Sequence, residues 1–176
     1  MHIWSSAATF GGDRYITLNR RLSFAHARTN CEALGAKLVS VHSAAENSFL
    51  NDLITNGFPF KATEGSSIRD HWIGFSTTDD CSCFNQYETQ CERCRDHWTW
   101  TDGTVADYRQ FDAKHPLGGS RSCASMKYRD GDWFSVNCVT ELRSICKEGN
   151  GSVPFFYRIY RHKTFSICLL LVHGPL

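Results

Sequence analysis

Alternation between apolar and polar positions starts the reading. Tyr15-Ile16-Thr17-Leu18 predicts a first strand, followed by a polar Asn19-Arg20-Arg21 turn. The period then lengthens. Phe24, Ala27, Cys31 and Leu34 recur at helical spacing after Ser23, a residue fit for an N-cap, and Gly35 stops the run. A second helix opens on Ser43-Ala44-Ala45-Glu46. This is a capping-box pattern, in which Ser43 accepts from the Glu46 N–H and Glu46 reaches back. Phe49, Leu50, Leu53 and Ile54 give it an apolar face, and Asn56-Gly57 ends it.

Downstream the pattern becomes one of strands and loops. Trp72-Ile73-Gly74-Phe75 suits a short buried strand. Trp98-Thr99-Trp100 alternates and leads into an Asp102-Gly103 turn. A long polar stretch from Val105 to Ser122 follows. Cys123 to Tyr128 and Trp133 to Val136 then flank Asp130-Gly131 as a hairpin, and Ser144-Ile145-Cys146-Lys147 closes the pattern. Two helices followed by a loop-rich sheet predict an α+β fold, without internal repeats.

Composition narrows the setting. The 176 residues suffice for one domain with one substantial core. Hydrophobic residues make up 41% and aromatic residues 13%, a globular composition. The formal net charge of +1 argues against nucleic acid or an anionic membrane as main partner, since both require a basic surplus. Nine cysteines favour an oxidising, extracellular setting, because Cys31, Cys123, Cys138 and Cys146 lack the paired spacing of a zinc site. The first ten residues lack the basic and apolar regions of a signal peptide, which leaves a truncated start or a misassigned first exon.

From about Tyr15 to Lys147 the chain resembles the C-type lectin-like family. The segments that carry the resemblance are Leu22 to Cys31, Gly35 to Ser43 with Glu46 and Phe49, Trp72-Ile73-Gly74, Trp98-Thr99-Trp100-Thr101-Asp102-Gly103, and Asp130-Gly131-Asp132-Trp133 through Asn137-Cys138. Each is weak alone; together, in order, they are specific. The resemblance implies two helices on a small irregular antiparallel sheet with a long loop, with Cys31 paired to Cys146 and Cys123 to Cys138. It also implies the short form of the family, since no cysteine stands at Arg14 or before it. The chain then divides into an extension over 1–14, the domain over 15–148 and a tail over 149–176.

Sugar-binding members of that family hold Ca²⁺ with a Glu-Pro-Asn or Gln-Pro-Asp triplet, a further acid and an Asn-Asp pair. Ca²⁺ requires such a set because it takes six to eight oxygen ligands. Here the triplet aligns with His115-Pro116-Leu117, the further acid with Ser120-Arg121, and the pair with Phe134-Ser135. The resemblance implies a cis bond before Pro116. Calcium is therefore expected to be absent from this site, and no other cofactor is implied. Asp112, Asp130 and Asp132 read as turn and loop residues. Lys114, His115, Pro116, Arg121 and Phe134 remain as a candidate cationic and aromatic face for a sulfated or sialylated glycan, with an ordinary solvated loop as the plain alternative.

Between residues 77 and 97 lies an insert with Cys81, Cys83, Cys91 and Cys94. Local disulfides, a zinc knuckle with His97 in reserve, and a Cys-x-x-Cys redox centre are the three readings. In the tail, Asn150-Gly151-Ser152 is a glycosylation sequon, and Phe165 to Val172 is too short to span a bilayer. The tail vaguely resembles a lipid-anchor signal, with a non-native extension as the other reading, and Cys168 is the odd cysteine. No catalytic constellation stands in a convincing context, and His26, His42 and His71 read as surface or packed residues. The expectation is a secreted or surface-displayed, non-enzymatic recognition module for glycans. A calcium-independent protein-binding domain on the same scaffold is the alternative.

Overall fold

A computed structural model describes residues 5–57, 69–78, 97–117 and 120–149. The predicted insert cysteines Cys81, Cys83, Cys91 and Cys94, the Asn150 sequon and Cys168 lie outside the described residues.

Among the described residues, eight strands and two helices follow in the order β1 (Ser5–Phe10), β2 (Asp13–Leu22), α1 (Phe24–Ala33), β3 (Lys37–Leu38), α2 (Ala44–Asn56), β4 (His71–Ser76), β5 (Thr99–Trp100), β6 (Cys123–Met126), β7 (Trp133–Val136) and β8 (Leu142–Glu148). One sheet runs β1-β2-β8-β4-β6-β7, with β3 beside β8 and β5 beside β4. It is mixed rather than purely antiparallel, because β4 pairs with β8 in parallel. The α+β architecture agrees with the sequence reading.

Within the expected extension, residues 5–10 form an edge strand, with β1 pairing β2 from Ser5↔Leu18 to Phe10↔Asp13. Gly11 and Gly12 have φ of 60° and 91°, the two positive values of a type I′ turn, which L side chains rarely adopt. Ala8 and Phe10 pack against the core, and Phe10 stacks on Phe49 at 5.1 Å. The hairpin therefore closes without any cysteine pair. The strand escaped notice because Ser-Ser-Ala-Ala-Thr-Phe has small residues where alternation would show, although Gly-Gly marks the turn.

Two buried clusters flank the sheet. One joins Val39, Val41, Leu50, Ile54, Ile73, Phe75, Trp98, Trp100 and Trp133 under α2 and the long loop. The other joins Ile16, Leu18, Phe24, Ala27, Leu38 and Trp72 under α1. Both expected disulfides are present, Cys31–Cys146 from α1 to β8 and Cys123–Cys138 from β6 to the turn after β7.

Helix caps are partly as expected. Ser43 accepts from the Glu46 N–H at 3.1 Å. Glu46 reaches past Ser43 to the His42 N–H at 2.8 Å, while its other oxygen accepts from the Tyr15 hydroxyl at 2.6 Å and Lys147 Nζ at 2.9 Å. Ser23 stands at the start of α1 without a side-chain cap, its hydroxyl engaged instead with His26 Nδ1 at 3.0 Å. The hairpin between β6 and β7 is wider than an Asp130-Gly131 turn: Lys127 N–H reaches Asp132 O, and Arg129 and Gly131 both take positive φ.

Candidate functional site

Strands β6 and β7 set the stage for the long loop. β7 carries Phe134 and Ser135, and its pairing with β6 places Ser125 opposite Phe134 and Ala124 opposite Ser135. Main-chain bonds fasten the incoming loop to β7: Trp133 N–H donates to Gln110 O at 2.7 Å, and Asp112 N–H to Trp133 O at 3.1 Å. Below, the Trp133 indole N–H donates to Asn47 Oδ1 at 2.8 Å, anchoring the strand to α2.

From Asp112 the loop turns back on itself. Asp112 Oδ1 accepts from the Lys114 N–H at 2.9 Å, and Asp112 O from the His115 N–H at 2.8 Å. The His115–Pro116 peptide is cis, as the resemblance implied. His115 is buried, and its Nδ1 accepts the Ser135 N–H at 3.0 Å, which places the proton of the neutral ring on Nε2. Ser135 Oγ accepts from the Leu117 N–H at 2.7 Å. The loop is thus stitched to β7 through one imidazole and one hydroxyl. Burial pulls the His115 pKa below the ordinary histidine value; Asp112 opposes this and Arg121 adds to it.

Of the predicted face, His115 and Phe134 meet, with ring centroids 4.3 Å apart. Pro116 is buried beside them, while Lys114 and Arg121 are exposed, with Arg121 near enough to act on His115. His115 therefore serves as a brace rather than as an exposed cation. Lys127 is an additional cation, with Nζ 5.2 Å from the Phe134 ring centroid and 2.6 Å from Asp130 Oδ2. Its position in the hairpin after β6, across from β7, was the available signal.

The nearby oxygens do not match a calcium cage. Asp112 is engaged by Lys114, Asp130 by Lys127, Asp132 by Gln110 at 3.1 Å and Ser135 by Leu117. Leu117 and Phe134 bring no side-chain oxygen, and six to eight are required. Among the described residues no group of three or more His, Cys, Asp or Glu side chains converges to hold a metal ion.

Other polar residues serve the frame. His42 Nδ1 lies 2.9 Å from Asp107 Oδ1 at the surface. His71 is fully buried, and burial, with Arg143 nearby, lowers its pKa to about 3. His26 is exposed. Among the described residues no helix is long and apolar enough to cross a membrane.

Comparison with known proteins bears on this geometry. Residues 20–148 match the family described as Lectin C-type domain. Human C-type mannose receptor 2 is 28% identical over 136 residues, 77% of this chain and 8% of that protein. Human layilin is 26% identical over 140 residues, 73% of this chain and 33% of that protein. Ladderlectin of Oncorhynchus mykiss is 29% identical over 139 residues, 77% of this chain and 62% of that protein. The chain thus spans only part of these relatives. Among solved structures, CEL-IV superposes with a TM-score of 0.65 at 23% identity, covering 80% of this chain and 90% of that one. A calcium-independent type II antifreeze protein gives 0.60 at 24%, covering 80% and 89%. These likenesses show the fold, and the family match covers most of the chain. This protein belongs to the C-type lectin domain family.

Proposed function

We propose that the chain is an extracellular, non-enzymatic recognition module that binds an anionic glycan without calcium. The observation that carries this reading is the stitching of His115 and Leu117 to Ser135. It holds the loop by protein hydrogen bonds at the place where sugar-binding relatives use an ion. Exposed Lys114 and Arg121 flank that brace, and Lys127 lies over Phe134. A sulfate or carboxylate on a sugar would meet guanidinium and ammonium donors there, with an aromatic ring beside them. The two disulfides support an oxidising, extracellular setting.

A calcium-independent protein-binding domain is the second reading. It draws on the fact that His115, Ser135 and Leu117 spend polar atoms within the protein, leaving few for sugar hydroxyls.

A glycan array probed with the oxidised full chain, once with Ca²⁺ and once with EDTA, tests both. Binding to sulfated or sialylated glycans that is indifferent to EDTA and lost in Lys114→Ala/Arg121→Ala supports the proposal. Binding abolished by EDTA overturns the calcium-free reading. Silence on both arrays favours a protein ligand.

A further inference from the structure

The hairpin between β6 and β7 carries two cation–aromatic contacts. Lys127 lies over Phe134. The next residue, Tyr128, is approached by two guanidiniums, with Arg69 Cζ 5.4 Å and Arg129 Cζ 5.3 Å from its ring centroid. A phenol face attracts each cation, but the two like charges oppose one another across it. An anion held by both removes that opposition and gains charge-assisted bonds from planar donors.

The turn backbone supports a role for this cluster. Among the described residues Arg129 is the one non-glycine with positive φ, at 77°. That conformation suits Gly or Asn and is uncommon for a long side chain. Asn51 of α2 holds it in place, its Nδ2 donating to Arg129 O at 3.0 Å, while Gly131 N–H closes on Lys127 O at 3.1 Å. A cation thus stands where another residue would fit the backbone better, and such outliers gather at working sites.

Contacts run unbroken from here to the long-loop face. Arg121 acts on His115, the His115 ring meets Phe134, and Phe134 lies under Lys127. Lys127 in turn feels Asp112 of the long loop and Asp70 at the start of β4. From Arg121 to Lys127 the chain passes through β6, a reach of about 20 Å at about 3.3 Å per extended residue. The acids along the way are engaged by the protein: Asp112 by the Lys114 N–H, Asp130 by Lys127, and Asp70 by the Tyr128 N–H at 2.9 Å. Arg121 and Arg129 are exposed at the two ends.

We propose that the recognition face extends from Arg121 past Phe134 to Tyr128, where Arg69 and Arg129 take a second anionic group. The ligand is then a linear polysaccharide with sulfates or carboxylates at intervals, since a single terminal acid reaches only one end. The inference rests on the anionic-glycan reading above and adds the length and repeat of the ligand.

Calorimetric titration of the oxidised full chain with a heparin disaccharide and a heparin octasaccharide tests it. The octasaccharide is expected to bind about tenfold more tightly, the gain from one further charge-assisted contact. Arg129→Asn suits the positive φ, removes the charge and should erase that advantage. Arg28→Asn removes an equal charge from the exposed side of α1, over the other buried cluster, and should leave the advantage intact. An advantage that survives Arg129→Asn, or that falls equally in Arg28→Asn, overturns the extended face. The anionic-glycan reading survives that result if Lys114→Ala/Arg121→Ala still abolishes binding of both oligosaccharides. A wild-type chain that binds neither oligosaccharide overturns both.

Discussion

The imidazole Nδ1 of His115 accepts the backbone N–H of Ser135 at 3.0 Å. That bond exists only while the ring is neutral, since a protonated Nδ1 would set one N–H against another. Burial, reinforced by Arg121 and opposed by Asp112, keeps the folded pKa below the unfolded value. The folded state therefore binds fewer protons than the unfolded one. The contribution is complete above the ordinary histidine range and is lost as pH falls through the depressed folded value. The Ser135 and Leu117 amide resonances should shift together on acidification, and His115→Gln should remove that titration. Amides that titrate within the ordinary histidine range, as beside an exposed imidazole, would contradict the arrangement.

Asp70 runs the other way. Burial raises its pKa to about 6, against the Tyr128 N–H bond and Lys127, with Asp130 adding to the rise. A carboxyl whose folded pKa exceeds its unfolded value favours folding at low pH and loses that advantage as pH rises to about 6. Asp70→Asn should thus be near neutral in acid and stabilising by about 1–3 kcal/mol above neutrality. Urea midpoints across pH provide the check, and a stability difference that does not grow with pH would count against it.

Glu46 receives the Tyr15 hydroxyl, the His42 N–H and Lys147 Nζ in a buried position. The two carboxylates of Glu46 and Asp13 hold the Lys147 pKa above its ordinary value despite burial, which alone would lower it. Glu46→Ala strands a buried hydroxyl and leaves Lys147 with only Asp13, so a loss of about 3–5 kcal/mol is expected. Tyr15→Phe should lose about 1 kcal/mol. A double-mutant cycle between positions 15 and 46 should show coupling, and additive losses would mean the bond contributes nothing of its own.

The disulfides differ in reach. Cys31–Cys146 spans a separation of 115 residues and Cys123–Cys138 one of 15. On the chain-entropy account, removing the first costs about 4–5 kcal/mol and the second about 3 kcal/mol. Paired Cys→Ala variants compared by thermal unfolding should rank in that order.

The fold was legible where large side chains or helical spacing declared it. Trp72, Trp98 and Trp133 marked buried positions, and Ser43 with Glu46 marked a helix start. That Leu117 and Phe134 bring no side-chain oxygen to the long loop was equally visible. Other features depend on contacts between distant segments. Lys127 reaches Phe134 across the hairpin, and Glu46 finds Tyr15 and Lys147 from two other strands. His115 looked like a surface cation because its neighbours Lys114 and Arg121 are; only the β7 backbone turns it inward. The β1 strand carries small residues that bury little, so its existence rests on the Gly11-Gly12 turn and the backbone ladder.

Arg14 and Glu148 lie opposite each other where β2 meets β8, joined at 3.0 Å. Tension applied at Arg14 and Glu148 would peel β2 from β8 one rung at a time, from Arg14/Glu148 through Tyr15/Lys147 to Ile16/Cys146. Once the rest of β2 and α1 as far as Cys31 are drawn out, the load passes into the Cys31–Cys146 bond. The segment between those cysteines, including the long loop and its imidazole brace, would hang slack beside the line of force. A domain pulled in this way lengthens by β2 and α1 and keeps the long loop whole.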